Sequence, residues 1–391
     1  MRPDPSADPI GPLPRMISVT WYKGPDLPQG FQDSCGGVVG RTLITCCGFC
    51  QGAQHWTAPH QRCAGKEHKY PRGFLSNAWG LDLQAMDAWV PLPPFPGTAR
   101  QGSCAAVVGD QLHVWGGFSY SPPYCYRDGY RLSRDGDGEW RWDRLPDLPH
   151  PLCGAGCVAL GTQIYVSGGA DYDAERFYTN GDRHGGNPGC GARLHAIDTC
   201  HVDRGWRELR PCEGGTPRWV AGTAVVGGRV HVIGGGTGGD NATGGYCTVV
   251  DNWRYDPGTD TWQRIADLPV ASGNFPSGPI VYRDRYALLV GGYQYARIMD
   301  PDGSTRESYG EPYRHYQDRP YFSDVFVYDA RLGGFGTGDP LPLNSNMPLA
   351  IVEDSRLFLI GGEIDGAVVE GACYGHHPDL CLIGRIQAVG C

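Results

Sequence analysis

Residues 104–117 read CAAVVGDQLHVWGG, and the chain repeats this order of an apolar run, a two-residue turn, a second apolar run and Gly-Gly. Further copies end at Gly169, Gly235, Gly292 and Gly362, and a degenerate copy, CGGVVGRTLITCCG, ends at Gly48. Each copy is typical of a β-hairpin, because short β-branched runs are joined by turns that supply or tolerate positive φ. Six copies in the same order predict six repeated units.

A second hairpin follows each Gly-Gly after a stretch of variable length. It ends in an aromatic residue and a Leu-Pro step, most clearly in WDRLPDLP at 142–149 and WQRIADLP at 262–269. Each unit thereby gains four strands, which we expect to form one antiparallel sheet. A four-stranded sheet cannot cover its own apolar faces, so the sheets must stack on one another.

The two ends of the chain complement each other. WYKGPDLP at 21–28 has the pattern of a fourth strand but no three strands precede it, whereas the last unit stops after LCLIGRIQAV at 380–389. Pairing these segments would close the array into a ring and remove its exposed edges. The sequence therefore predicts an all-β fold, a six-bladed β-propeller with four antiparallel strands per blade and an N-terminal strand that closes the last blade. Residues 1–16 are predicted to be a Pro-rich tail, and 17–391 a single domain.

This pattern resembles the kelch repeat over roughly residues 17–390. Within kelch proteins, FPGTARQGSCAAVVGDQLHVWGG at 95–117, the insertion after Gly292 and LFLIGGEIDG at 357–366 are similar to the N-acetylneuraminate epimerase (sialic acid mutarotase) group. The resemblance implies a propeller that epimerises a sugar with a Glu and an Arg placed just after the Gly-Gly of a middle blade. Here that stretch is GTGGDNAT at 236–243, which has neither residue, so the resemblance supplies no catalytic pair.

Composition limits the partners and the location. The formal net charge of −9 argues against nucleic acid as the main partner, and no apolar run is long enough to span a membrane. The 16 cysteines form an even set that favours disulfides and an extracellular or periplasmic location. Residues 1–20 lack the apolar segment of a signal peptide, which keeps a cytoplasmic location as the alternative.

Long loops are predicted on one face of the ring, and binding sites usually lie on such loops. The candidate ligand-binding residues, which lie close before a first strand or directly after Gly-Gly, are Arg100, Gln101, Arg218, Trp219, Asn274, Asn344, Asn346 and Glu363. Two arginines could clamp a carboxylate, and Trp219 could stack on a sugar ring or a peptide. Alternatively, the arginines bind loop carbonyls between blades and Trp219 packs between blades.

The loop at 46–68 raises the question of a metal. Cys47, Cys50, Cys63 and His68 could surround Zn²⁺, but their spacing matches no common zinc module, so a loop held by disulfides is favoured. A disulfide is also expected to close the last loop, where Cys373 and Cys381 flank two histidines. No metal and no cofactor are predicted.

Function is less determined than fold. We expect a propeller that binds a sugar, glycan or protein on its long-loop face, with a carbohydrate mutarotase or epimerase as the catalytic hypothesis and no catalytic residue assigned. A non-catalytic protein-interaction propeller is the alternative. Tyr124-Cys125-Tyr126 and the pair His376 and His377 suggest a copper-dependent sugar oxidase, although no register matches.

Overall fold

A computed structural model describes most of the chain. The described residues are 13–50, 73–119, 122–172, 186–187, 192–238, 246–273, 275, 280–292, 294–295, 297–300, 302–307, 321–369 and 372–390. Within these ranges the protein consists of β-strands and loops, with one short 3₁₀ helix at Val202–Arg204. No helix in this part of the chain has the length and apolarity needed to cross a membrane.

The main strands group into four-stranded antiparallel sets that fit six blades, as the hairpin repeats predict. In sheet order they are Cys35–Val39, Thr42–Cys46, Ala78–Asp82 and Trp89–Leu92 (blade 1); Cys104–Val108, Gln111–Trp115, Gly129–Arg134 and Trp140–Leu145 (blade 2); Gly156–Leu160, Gln163–Ser167, Leu194–Asp198 and Arg207–Glu208 (blade 3); Gly222–Val226, Arg229–Ile233, Asn252–Asp256 and Thr261–Ile265 (blade 4); Val281–Tyr282, Tyr286–Val290, Val325–Asp329 and Gly334–Gly338 (blade 5); and Leu349–Glu353, Arg356–Ile360, Cys381–Ala388 and Arg15–Lys23 (blade 6).

The N-terminal strand closes the ring. Arg15–Lys23 pairs antiparallel with Cys381–Ala388 from Ile17 opposite Ala388 to Lys23 opposite Leu382, which confirms the predicted closure. The strand also pairs in parallel with Gly334–Gly338 and so joins blades 5 and 6 into one eight-stranded sheet. Ile17 is fully buried in this seam, so closure buries apolar surface as well as pairing backbone groups.

Short accessory strands lie in the connections between the second and third strands of the blades. They are Phe49–Cys50 with Gly73–Phe74; Asp171–Tyr172 with Gly186–Asn187; Gly236–Gly238, Tyr246–Val249, Arg297–Met299 and Thr305–Glu307, which form one sheet; and Ile364–Val369 with Ala372–His376. The third set includes a parallel pairing of Tyr246–Val249 with Arg297–Met299, so the long connections of blades 4 and 5 support each other.

The Gly-Gly step after the second strand has a packing reason. Its first glycine has φ between 59° and 67° in blades 2 to 6, a region that glycine enters without steric cost. A Cβ on Gly116 would lie 2.4 Å from the carbonyl oxygen of Leu152, and a Cβ on Gly234 would lie 2.4 Å from that of Ser272. In blades 2 to 6 the repeat therefore keeps glycine where the blade meets the loop that leads into the next.

Candidate functional site

A ring of backbone hydrogen bonds joins the loops that lead into the first strands of consecutive blades. The described links run from Asp33 N to Met347 O (3.1 Å), Gly102 N to Asp33 O (3.1 Å), Gly154 N to Gly102 O (2.9 Å), Val220 N to Gly154 O (2.7 Å) and Phe275 N to Val220 O (3.3 Å). One residue per blade takes part, so these six residues, the axial ring, surround the propeller axis. Among the six, Asp33 is the ionisable one.

Asp33 has the electrostatics of an acid–base group. It is partly exposed, its φ is +53°, and a Cβ placed on Gly102 would lie 3.3 Å from its Oδ2. Burial, followed by the negative charge of Glu363, raises the pKa of Asp33 from its ordinary 3.8 to about 7. Both causes disfavour the charged carboxylate, so Asp33 exchanges its proton near neutral pH.

Glu363 is held beside the axial ring by blade 6. Its backbone forms a β-bridge with Asn346, with N···O distances of 2.7 and 2.8 Å, and the Asn346 Nδ2 donates to Glu363 Oε2 at 3.2 Å. Glu363 Oε1 lies 3.9 Å from His377 Nε2. Within the described chain, Asn346 Oδ1 and Ser345 Oγ are buried without a hydrogen-bond partner.

Three of the sequence-predicted residues occupy equivalent places. Gln101, Trp219 and Asn346 each form an isolated β-bridge to the residue that follows their own blade's Gly-Gly, and each immediately precedes a member of the axial ring. Gln101 and Trp219 are half-buried, and Trp219 packs on a small cluster that contains Cys153. Asn344 is half-buried, and Asn274 lies outside the described residues.

Arg100 is buried and engaged inside the protein. Its Nε donates to Thr98 O (2.7 Å), its Nη1 to Gly116 O (3.0 Å), and its fork binds both carboxylate oxygens of Asp128 (2.5 and 3.1 Å). The guanidinium also lies 3.8 Å from the centre of the Tyr126 ring. Arg100 thus ties its loop to the Gly-Gly step and to the start of the third strand.

Arg218 makes the same set of contacts in blade 4. Its Nε donates to Thr216 O (2.9 Å), its Nη1 to Gly234 O (3.2 Å) and to the Asp251 carbonyl, and its Nη2 to Asp251 Oδ2 (2.5 Å). Burial alone would raise the pKa of Asp251, but the charge and hydrogen bonds of Arg218, together with the Trp253 indole N–H, hold it below its ordinary value. Thr-x-Arg at 98–100 and 216–218 is therefore a repeated device that supports loops.

Sequence reasoning missed Asp33 and assigned no role to His377 at this site. The available signal is register: Asp33 lies two residues before the first strand of blade 1, as Gly102 and Gly154 do in blades 2 and 3. Residue type shows nothing there, because glycine and apolar residues fill the other places.

The predicted disulfide framework is wrong for the cysteines that the structure places as thiols. These are Cys35, Cys46, Cys47, Cys104, Cys153, Cys157, Cys200, Cys212 and Cys381. The Sγ atoms of Cys35 and Cys46, for example, lie 3.6 Å apart, against about 2.05 Å for a disulfide bond. The expected bridge from Cys381 is absent as well, and the disulfide argument for an oxidising compartment loses its support.

The structure describes only some of the residues predicted to bind zinc. Cys63 and His68 lie outside the described residues. The sulfur atoms that do come together belong to Cys35, Cys46 and Cys47, all within 4.8 Å of one another. This group, called the thiol cluster below, is buried at the end of the first hairpin.

Comparisons with known proteins agree with the fold. The Kelch motif family model matches residues 221–269. An N-acetylneuraminate epimerase of Haemophilus influenzae is 24% identical over 374 residues, covering 88% of each chain, and one of Yersinia pestis is 29% identical over 265 residues, covering 62% of each. The solved structure of YjhT superposes with a TM-score of 0.64 at 18% identity, covering 93% of this chain and 99% of its own.

The structure has the fold of a kelch-type β-propeller, and a Kelch motif lies within it at residues 221–269. Within that class it resembles the N-acetylneuraminate epimerases.

Proposed function

We propose that this propeller is a sugar mutarotase or epimerase that interconverts the anomers of a cyclic sugar at the axial ring. Asp33 is the proton-transfer group, and Glu363 is its partner. The observation that carries the proposal is the carboxyl of Asp33, whose pKa is about 7 and which senses the charge of Glu363. A titratable group whose pKa is raised this far, in a ring bounded by long loops, is typical of a functional site.

Anomer interconversion needs the chemistry that this pair offers. The ring opens when one group takes the proton of the anomeric hydroxyl and another delivers a proton to the ring oxygen; closure on the opposite face reverses both transfers. General acids and bases are most effective when their pKa lies near the working pH. Asp33 is about half protonated at neutral pH, so it can begin the cycle in either role.

The surroundings hold Glu363 in place beside the axial ring. Asn346 Nδ2 donates to Glu363 Oε2 and so orients that carboxyl group. Trp219, at the equivalent bridge of blade 4, could pack on a sugar face. Arg100 and Arg218 are committed to Asp128 and Asp251, so a substrate carboxylate would need a cation from another part of the chain.

The relatives named N-acetylneuraminate epimerase support this class of reaction, while the absence of a Glu and an Arg at 236–243 separates this chain from the implied catalytic pair. We therefore place the chemistry on Asp33 and Glu363. We also propose an extracellular or periplasmic location, with a cytoplasmic one as the alternative, and a single domain over residues 17–391.

The test is anomer exchange measured by NMR on a panel of N-acetylneuraminate, glucose, galactose, mannose and N-acetylglucosamine. Wild-type protein is expected to accelerate exchange of at least one sugar, and Asp33→Asn to lower that rate by about 10²–10⁴-fold, the usual contribution of a positioned acid–base group. Asp267→Asn, which alters an exposed carboxylate, is the matched control and should keep the full rate.

Two outcomes would contradict the proposal. The first is the absence of acceleration for any sugar at high protein concentration. The second is sugar binding by calorimetry with no exchange, which would favour the non-catalytic recognition propeller.

A further inference from the structure

We infer that the thiol cluster of blade 1 is a binding site for a thiophilic d¹⁰ metal ion, Cu⁺ or Zn²⁺, held by Cys35, Cys46 and Cys47. Its three cysteines are different residues from the axial carboxyl pair, and the inference does not depend on the proposed function. The inference rests on the spacing of the sulfurs, on their burial, and on a costly backbone position that a glycine would fill more easily.

The sulfur spacing suits a shared ion. Metal–thiolate bonds of about 2.3 Å at tetrahedral or trigonal angles place sulfurs roughly 3.8–4.0 Å apart. The Cys35 and Cys46 sulfurs are 3.6 Å apart, and all three sulfurs lie within 4.8 Å of one another. Binding therefore requires only small side-chain rotations.

The strands fix two of the ligands. Cys35 and Cys46 are directly opposite each other at the open end of the hairpin formed by Cys35–Val39 and Thr42–Cys46. Cys47 follows immediately and brings the third sulfur back toward them. All three side chains are 0–1% exposed and pack among apolar residues such as Ile44 and Phe95, so a bound ion would be shielded from water.

Cys47 occupies the place of the first glycine in the Gly-Gly step. Its φ is +61°, within the range of the glycines at the same place in the other five blades. Non-glycine residues enter this region at a steric cost. Blade 1 keeps the backbone of the repeat and places a thiol where glycine would be less strained.

Soft thiolates select Cu⁺ and Zn²⁺ over harder ions. Zn²⁺ prefers a fourth ligand, whereas Cu⁺ is satisfied by three sulfurs, so the two ions are separate arms of one test.

The experiment uses the full chain, reduced and stripped of metal, titrated with Cu⁺ or Zn²⁺ against a chromogenic chelator, followed by X-ray absorption of the loaded protein. Wild type is expected to bind one equivalent of at least one ion, with sulfur scatterers at about 2.2–2.3 Å. Cys47→Gly should lose this equivalent, with affinity lowered by more than about 100-fold, because loss of a ligand exceeds loss of an outer-shell partner.

Cys47→Gly restores the residue found in the other blades, so the metal-free variant should fold with a Tm no lower than that of wild type. Cys200→Ser changes an exposed cysteine and is the matched control that should bind as wild type does. Failure to bind either ion, or binding that Cys47→Gly leaves unchanged, would overturn the inference. So would isolation of the protein with Cys35 and Cys46 joined in a disulfide.

Discussion

Charged residues are arranged differently in the loops of blades 2 and 4 and at the boundary between blades 6 and 1. Blades 2 and 4 repeat one set of contacts, in which an arginine neutralises an aspartate. The pairs are Arg100 with Asp128 and Arg218 with Asp251. At the boundary between blades 6 and 1, the negative charge of Glu363 disfavours the charged form of Asp33, and the described contacts place no arginine between the two. The pair that recurs in blades 2 and 4 supports the loops, whereas Asp33 and Glu363 occur once and are the pair on which we propose that the chemistry takes place.

The largest change in stability is expected at the buried pair of Arg218 and Asp251, which supports a loop of the scaffold. Arg218→Met should lower the free energy of unfolding by about 3–5 kcal/mol, because it leaves Asp251 buried without its cation. Chemical denaturation followed by tryptophan fluorescence measures this loss. Arg264→Ala, which breaks an exposed pair with Asp267, is the control and should change stability by less than about 1 kcal/mol. Equal effects of the two variants would remove the distinction between scaffold and surface charge.

Asp33→Asn should raise the free energy of unfolding, whereas Arg218→Met lowers it. Because the folded-state pKa of Asp33 is raised to about 7, the native state binds more protons than the unfolded state between about pH 4 and pH 7, and wild-type stability falls over that window. Relative to wild type, the variant should match it near pH 4 and be more stable above pH 7, by at most about 4 kcal/mol. Denaturation of both proteins at several pH values gives the difference. A pH-independent difference would contradict the shifted pKa.

A smaller effect is expected at Arg100. Its partner Asp128 has a side chain that is 20% exposed, against 1% for Asp251, so water can solvate the carboxylate left behind. Arg100→Met should therefore cost about 1.5–3 kcal/mol, the range for hydrogen bonds to charged groups. The same denaturation assay checks it, and a loss larger than that of Arg218→Met would show that burial of the partner does not decide the cost.

Much of the fold follows from local pattern. Paired apolar runs with turn residues between them predict hairpins, and the Leu-Pro offset at 21–28 predicts which strand closes the ring. Both signals are local in sequence, and the pairing of Arg15–Lys23 with Cys381–Ala388 confirms the second. The strand begins at Arg15, slightly before the boundary predicted at residue 17.

The site was less predictable because its properties arise from distant parts of the chain. The pKa of Asp33 is raised by burial and then by the charge of Glu363, which belongs to blade 6, so neither cause can be read from the sequence around Asp33. Arg100 and Arg218 have the residue type of ligand clamps, yet their partners depend on third-strand residues that no motif links to them. The cysteines misled for a similar reason: an even count says nothing of sulfur spacing, which the hairpin register sets.

The central claim is that Asp33 exchanges a proton near neutral pH because it is buried and because the negative charge of Glu363 adds to the effect of burial. The most direct measurement is the carboxyl ¹³C chemical shift of Asp33 as a function of pH, in wild type and in Glu363→Gln. The account predicts a midpoint near 7 in wild type, as burial and the charge of Glu363 require, and a lower midpoint in the variant. A wild-type midpoint near the ordinary value of 3.8, or one that Glu363→Gln leaves in place, would contradict it.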